Sequence, residues 1–167
     1  MIFLGIDPGK AGALVALDDD GTVLTASTAP MIGKEYDDTG MAQLVHRVVG
    51  GIRLADVALC GLEKVGTRPG ESLRGAFAFG EGVGLWRGIL SANSIGWRFV
   101  TPQAWQRHAL RGTTVPRERR ALKDAVTASA LRRWPSLHEH LRLKKNQGIA
   151  DAAWIAEHVR LTHKRND

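Results

Sequence analysis

The amino-acid sequence predicts an α/β fold in which a mixed β-sheet is flanked by helices. Short apolar runs alternate with longer segments of helical spacing, an Asp-Gly turn joins two of the first runs, and Gly or Pro separates the elements. The chain has 167 residues, of which 44% are hydrophobic, so it can bury a core without disulfides or structural metals. Because no linker or internal repeat divides it, we expect residues 1–167 to form a single domain.

The first part of the chain predicts three strands and a helix. The strands are the apolar runs Ile2–Ile6, Ala13–Leu17 and Thr22–Thr25. Because Asp-Gly between two such runs is typical of a β-hairpin, we expect these strands to be antiparallel neighbours. Residues 29–40 are rich in Pro, Gly and Asp and predict a loop. Met41–Val49 then has helical spacing and ends at two glycines.

The remaining sequence predicts two more strands, separated and followed by helices. Val57–Leu62 and Trp97–Val100 are the fourth and fifth apolar runs, which completes a five-stranded mixed sheet. The predicted helices are Glu71–Leu90, Pro102–Leu110, Arg117–Trp134 and Ile149–Leu161.

Cysteine content and hydropathy favour a cytoplasmic protein. The single cysteine, Cys60, cannot form an internal disulfide, and its place within a strand favours core packing. No apolar stretch is long enough to span a membrane. The apolar run at the N-terminus is broken by Asp7 and lacks a basic leader, so we expect no signal peptide.

Positive charge is concentrated in one third of the chain. The formal net charge is +6, but residues 1–97 carry 8 basic and 11 acidic side chains, whereas Arg98–Lys145 carries 12 basic and 3 acidic ones. Such a concentration indicates a polyanionic partner, most commonly nucleic acid. A solvated helix face is the alternative that charge alone leaves open.

Three carboxylates occupy unusual positions, because each is embedded in apolar sequence at the end of a predicted element. Asp7 ends the first strand, Glu63 ends the fourth, and Asp151 begins the final helix. If the first and fourth strands are neighbours, Asp7 and Glu63 project at one edge of the sheet, and the helix with Asp151 can cross beside them. Taken singly, each acid has the alternative role of a helix cap, a turn former or a surface charge.

Clustered carboxylates repel one another, and a divalent cation relieves that repulsion. Ligands that are oxygens alone favour Mg²⁺ or Mn²⁺ over Zn²⁺. Two such ions about 4 Å apart activate a water and stabilise the leaving oxygen in phosphodiester cleavage.

Two other motifs do not indicate a binding site. His138 and His140 match no zinc pattern and fall on a predicted loop. The glycines at 80, 82 and 84 favour close helix packing over a dinucleotide site.

Five motifs in order resemble one family. They are Phe3–Gly9, Leu62–Glu63, Val100–Gln106 with its Pro-x-x-Trp element, the basic segment Lys123–Pro135, and Gly148–Glu157. Together they resemble RuvC-type Holliday junction resolvases of the RNase H-like superfamily, and most of all their phage and prophage branch. The resemblance extends over nearly the whole chain.

The resemblance implies a homodimer that binds four-way DNA junctions in a bacterial or phage-infected cell and nicks two opposing strands by Mg²⁺-dependent hydrolysis. It implies that Asp7, Glu63 and Asp151 hold two Mg²⁺ ions per site, with Mn²⁺ as a substitute. Family members usually add an acid or His three or four residues before the final Asp, where this chain has Gly148 and Gln147. This departure leaves three alternatives open: an amide oxygen of Gln147 or Asn146 is the ligand, a water takes its place, or activity is weak or lost.

The resemblance also implies residues that contact DNA. Lys123 matches a basic position near the scissile phosphate, whereas the family's second basic position holds Gln106, next to Arg107. One of two phenylalanines is expected to wedge against an unstacked base, with core or dimer-interface packing as the alternative. The implied DNA-binding residues are Lys64, Arg68, Arg74, Phe77, Phe79, Arg117, Arg119, Arg120 and Lys123.

Three other functions share some of these features. A binding module of the same fold holds branched DNA with little or no turnover, and another RNase H-like nuclease acts on flaps or RNA–DNA hybrids. An actin-like or sugar-kinase ATPase also begins with Asp-x-Gly after its first strand. That fold needs two such halves, which 167 residues do not hold.

Overall fold

A computed structural model describes residues 1–50, 56–64, 66 and 72–163. The strands in these ranges are β1 (Ile2–Asp7), β2 (Ala13–Leu17), β3 (Val23–Thr28), β4 (Met31–Ile32), β5 (Glu35–Tyr36), β6 (Val57–Glu63) and β7 (Trp97–Val100). The helices are α1 (Asp38–Gly50), α2 (Leu73–Ala92), α3 (Pro102–Ala109), α4 (Arg119–Arg133), α5 (His138–Leu141) and α6 (Gly148–His163).

The main sheet has five strands in the order β3-β2-β1-β6-β7. β1 and β2 are antiparallel, as are β2 and β3, whereas β1 pairs with β6 and β6 with β7 in parallel. Gly21 has a positive φ of 83° in the turn that joins β2 to β3, as the Asp-Gly motif predicts. The predicted α/β fold with a five-stranded mixed sheet and flanking helices is therefore confirmed.

Helices cover both faces of this sheet because side chains alternate along each strand. Phe3 lies in a buried cluster with side chains of α3, α4 and α6. Its neighbour Leu4 lies in a second cluster, on the other face, with side chains of α1 and α2. Cys60 is buried in that second cluster, as predicted, and burial raises the pKa of its thiol.

The sequence prediction is wrong in two short segments. Residues 29–40 are not only a loop, because β4 and β5 form a small two-stranded sheet around Gly33, whose φ is 62°. His138 and His140 belong to the four-residue helix α5. Strands of two residues and a helix of four are too short to show a hydrophobic period, so sequence patterns do not reveal them.

Helix boundaries shift where polar side chains cap the first turn. Glu118 accepts hydrogen bonds from the backbone N–H groups of Arg120 and Ala121 at 2.8 and 2.7 Å, so α4 begins at Arg119 and leaves Arg117 outside the helix. Ser72 caps α2 in the same way, by accepting a hydrogen bond from the Gly75 N–H.

In the part of the chain that the structure describes, no helix is both long and apolar enough to cross a membrane.

α6 lies directly on the backbone of β1. A Cβ atom at Gly5 would overlap the carbonyl oxygen of Ala152 and the backbone nitrogen of Ala156. Only a glycine allows this distance between helix and strand. Most residues of α6 are buried, so the helix packs against its neighbours along its length. The close contact at Gly5 therefore sets the distance between this helix and the sheet.

The far end of α6 is fixed by a buried ion pair. Arg160 donates to Glu157 at 2.6 Å and to the backbone oxygen of Asp19 at 3.0 Å. Trp134, which follows α4, donates its indole N–H to the Gly21 oxygen at 2.8 Å. The β2–β3 turn is therefore bound to both α4 and α6.

We predict that Gly5→Ala destabilises the protein by about 2 kcal/mol or more, because the added methyl group meets backbone atoms that cannot rotate away. Urea unfolding followed by circular dichroism measures the free energy of unfolding. Gly88→Ala is the matched control, since a Cβ there meets nothing within 4 Å and alanine favours the helix by about 0.5–1 kcal/mol. A Gly5→Ala variant as stable as the wild type would contradict the close packing of α6 on β1.

Candidate active site

Two of the three carboxylates lie side by side at one edge of the sheet. Asp7 and Glu63 are the last residues of β1 and β6, which pair in parallel with Ile6 opposite Leu62. Parallel strands end at the same edge of a sheet, so both side chains belong to that edge. The first and fourth predicted strands are thus neighbours, which is the condition under which the sequence predicts that Asp7 and Glu63 share an edge.

Asp151 reaches the same place from α6. It lies in the first turn of the helix, and Gly148, the first residue of α6, packs against the loop that follows β1. A Cβ at Gly148 would overlap the Ala11 oxygen and would lie 3.0 Å from Asp7 Oδ2. Asp7, Glu63 and Asp151 consequently line one cleft of about 510 Å³.

Burial raises the pKa of two of these acids, and repulsion adds to the shift of one of them. Burial raises the pKa of Asp7, and a hydrogen bond of 3.1 Å from the Gly9 N–H together with the charge of Lys123 partly opposes that shift. The pKa of Asp151 lies well above its usual value because of burial and the negative charges of Asp7 and Glu63. Lys123 lowers it only in part.

The chemistry of this donor set suits a hard divalent cation. The acidic groups are half-buried carboxylates, and Asp151 is repelled by Asp7 and Glu63, so a bound cation would compensate both costs. Among the described residues, however, no group of three or more His, Cys, Asp or Glu side chains is already arranged to hold a metal ion. The three acids therefore share a cleft without forming a closed ligand set.

The place of the fourth group is occupied differently from the family pattern. Gly148 has no side chain, and the Ala11 oxygen fills the space that a Cβ would need. Gln147 lines the cleft, and its amide nitrogen donates to Asp124 Oδ1 at 3.4 Å. The Asn146 amide instead donates to the His140 oxygen at 2.8 Å. Gln147 is thus the side chain at this position that faces the cleft.

The structure brings three of the predicted basic residues to the cleft, namely Arg117, Arg119 and Lys123. It also brings two exposed lysines that were not predicted as DNA contacts, Lys144 and Lys145, from the turn before α6. Their position in the basic segment, a few residues before Asp151, is the sequence signal that could have indicated them.

The other predicted DNA contacts are dispersed. Phe79 lines the cleft, while Arg74 and Phe77 line an adjoining groove of about 900 Å³. Phe77 is 78% exposed, which excludes core packing for that residue. Lys64 and Arg120 are exposed and are not part of the cleft lining. Arg68 lies outside the described residues.

Gln106 lines the cleft beside Trp105, which is 2% exposed. The indole N–H of Trp105 donates to Glu63 Oε1 at 3.0 Å. The neighbouring Arg107 instead donates its Nε to the Gln103 oxygen at 3.2 Å, within its own helix.

Two solved structures of Thermus thermophilus RuvC resemble this chain over nearly its full length. One, in complex with a Holliday junction substrate, has a TM-score of 0.67 at 17% identity and covers 99% of this chain and 96% of its own. The other has a TM-score of 0.62 at 19% identity, with coverages of 99% and 97%. The fold is that of RuvC.

At these identities the similarity establishes the RuvC-like, RNase H-like fold and nothing finer. No family model and no curated protein matches the sequence. Membership of the phage and prophage branch stays a prediction.

We predict that Asp151→Asn stabilises the metal-free protein at neutral pH, because the raised pKa of Asp151 means that its ionised form is unfavourable in the folded state. The melting temperature in EDTA should rise by about 2 °C or more, which for a chain of this size is roughly 1 kcal/mol. The gain should vanish as the pH falls below about 4, where the carboxyl is protonated in the folded and unfolded states alike.

Asp20→Asn is the control for that experiment, since Asp20 is exposed in the β2–β3 turn. Equal melting temperatures for the wild type and Asp151→Asn at pH 7 would show that the ionised Asp151 side chain does not destabilise the folded protein.

Proposed function

We propose that this protein is a structure-selective endonuclease that resolves four-way DNA junctions by paired, Mg²⁺-dependent phosphodiester hydrolysis, a crossover junction endodeoxyribonuclease. The observation that carries the proposal is the cleft in which Asp7, Glu63 and Asp151 meet beside basic side chains. The RuvC-like fold supports it, and one structural neighbour was solved with a Holliday junction substrate.

In the proposed reaction, water adds across one P–O bond of the DNA backbone. A bond forms between the water oxygen and phosphorus, one backbone P–O bond breaks, and the leaving oxygen takes up a proton. Asp7, Glu63 and Asp151 would hold two Mg²⁺ ions, or Mn²⁺ in their place, with the Gln147 amide at the fourth position. Bound there, the metal would supply Lewis-acid stabilisation and activation of water.

Basic side chains would place the phosphate against these acids. The charge of Lys123 lowers the pKa of both Asp7 and Asp151, so this lysine lies close to both acids. We therefore assign it the contact with the scissile phosphate. Arg117, Arg119 and the Lys144–Lys145 pair extend the positive potential along the cleft. Contacts of this kind supply affinity and orientation without sequence readout.

Resolution of a junction requires a cut in each of two opposing strands, and each chain has one such cleft. We therefore propose a homodimer that presents one cleft to each strand. We also propose that the protein acts in the cytoplasm of a bacterium or a phage-infected cell, where four-way junctions of DNA arise.

Gly148 favours a second candidate, a DNA-binding module of the same fold with reduced or no turnover. It leaves the fourth position without a charged ligand, and the carboxylates do not form a closed ligand set among the described residues. A nuclease for other branched or hybrid substrates shares the same cleft and differs only in the shape of its DNA-binding surface.

We predict that the wild type nicks a labelled four-way junction in Mg²⁺ and that Asp7→Asn lowers the rate by more than about 100-fold. Loss of a residue that only hydrogen-bonds to a metal ligand costs up to about 100-fold, and loss of a ligand itself should cost more. Asparagine retains the oxygen that accepts the Gly9 N–H, so the fold and junction binding should remain. Gel separation of the cleaved strands measures the rate.

Linear duplex, flap and RNA–DNA hybrid substrates serve as controls for that assay. Preferential cleavage of a hybrid or flap would favour another RNase H-like nuclease. Junction binding without nicking in either Mg²⁺ or Mn²⁺ would favour the binding module, and an active Asp7→Asn variant would exclude this cleft as the catalytic centre.

We predict that the double variant Lys144→Gln/Lys145→Gln weakens junction binding and makes its salt dependence less steep. If both lysines contact phosphates, the slope of log K against log salt should decrease in magnitude by about 2. Fluorescence anisotropy in EDTA between about 50 and 200 mM salt measures it. Arg47→Gln/Arg132→Gln is the matched control, because both arginines are exposed outside the cleft lining. An unchanged slope in the lysine variant would remove the turn before α6 from the DNA-binding surface.

A further inference from the structure

Trp105 makes a polar contact that packing alone does not require. Its indole N–H is the one hydrogen-bonding group of the side chain, and it donates to Glu63 Oε1 at 3.0 Å. The indole nitrogens of Trp86 and Trp154 are also buried, and no group among the described residues accepts from them. Burial of an indole here therefore does not by itself demand an acceptor, which makes the contact with Glu63 informative.

The indole is held rigidly by its surroundings. Trp105 is 2% exposed and lies in the hydrophobic cluster that also contains Val126 and Ile149. A large planar side chain in a close-packed core has little rotational freedom. Its N–H is therefore a fixed donor.

The backbone that carries Trp105 is tied to the strand that carries Glu63. The Lys64 N–H donates to the Val100 oxygen at 2.7 Å, which keeps the end of β7 against the end of β6. Pro102 begins α3 two residues later and places Trp105 in the first turns of that helix. The donor and the carboxylate are thus connected through a short, structured path.

A neutral donor suits this carboxylate better than a charged one. A lysine or arginine at the position of the indole would offset the negative charge that attracts a cation. The indole N–H limits the rotation of the Glu63 carboxylate through one hydrogen bond and leaves its negative charge unchanged. Partners that orient a ligand in this way typically contribute 10–100-fold to metal affinity.

We propose that Trp105 is a positioning residue that holds the Glu63 carboxylate in the cleft and thereby raises the affinity of the site for divalent cations. The proposal rests on the proposed function, because it takes Glu63 to be a metal ligand. Trp105 itself contacts neither substrate nor metal in this role.

The first test compares Mn²⁺ binding by the wild type, Trp105→Phe and Trp134→Phe. Trp134 is the matched control, because it lies in the same cluster and also donates one indole hydrogen bond, but to the Gly21 oxygen in the β2–β3 turn. Isothermal titration calorimetry should show affinity about 10–100-fold weaker in Trp105→Phe and unchanged in Trp134→Phe. Circular dichroism and thermal unfolding establish that both variants are folded.

A double-mutant cycle separates positioning from a general effect on structure. If Trp105 acts through Glu63, then Trp105→Phe should weaken Mn²⁺ binding much less in a Glu63→Ala background, where no side-chain oxygen accepts the indole N–H, than in the wild type. Equal losses of affinity in the two backgrounds would overturn the proposal.

A measurement on the wild-type chain applies even if Trp105→Phe does not fold. The sequence contains five tryptophans, so a ¹⁵N-labelled sample gives at most five indole N–H resonances in its NMR spectrum. Mg²⁺ titration should shift the Trp105 resonance and leave that of Trp134 in place. The shift should disappear in Glu63→Ala, which removes the acceptor oxygen.

The outcomes distinguish this inference from the proposed function. If the wild type binds the metal and nicks junctions while the Trp105 resonance stays fixed, or while Trp105→Phe binds Mn²⁺ normally, Trp105 is a core residue only and the proposed function stands. If the wild type binds neither Mn²⁺ nor Mg²⁺, the metal-dependent function and the positioning role are both wrong.

Discussion

The close contact between α6 and β1 at Gly5 is the constraint on which the rest of the structure depends. It brings a helix backbone against a strand backbone, and a single added methyl group would prevent it. Because α6 lies at this distance, its first turn reaches the edge of the sheet, and Asp151 enters the cleft of Asp7 and Glu63. Gly148 allows a second close approach, against the loop after β1. Two glycines therefore set the position of the third carboxylate.

The charged side chains at the two ends of α6 have opposite surroundings, because one end carries an ion pair and the other a group of carboxylates. Near its last turn, Glu157 and Arg160 form a close ion pair that also binds the backbone of the β2–β3 turn. Near its first turn, Asp151 has carboxylates as neighbours, and Lys123 compensates its charge in part. A paired charge is tolerated in a core, whereas a repelled one destabilises the metal-free fold. The ion pair at one end thus holds in place a helix whose other end carries an acid that Lys123 compensates in part.

Sequence patterns predicted the elements that have a clear hydrophobic period and the acids that interrupt them. The apolar runs located the five strands of the main sheet, and Asp7 and Glu63 stood out because each ended such a run. The hydrogen bond from Trp105 to Glu63 joins residues on different elements, and no local pattern encodes it. Lys144 and Lys145 were missed for a similar reason, because their place at the cleft depends on how the turn before α6 packs. The strands around Gly33 were too short for any periodic signal.

The order of elements along the chain has a consequence for synthesis on the ribosome. β1, which carries Asp7, is made early, whereas α6, which covers β1 and carries Asp151, is made after every strand of the sheet. A nascent chain that stops short of α6 leaves part of one apolar face of its sheet uncovered and lacks one of the three acids. Such long-range contacts form late and slowly in folding. The acidic cleft is therefore assembled in the same step that closes the core, so an incompletely synthesised chain carries no assembled site.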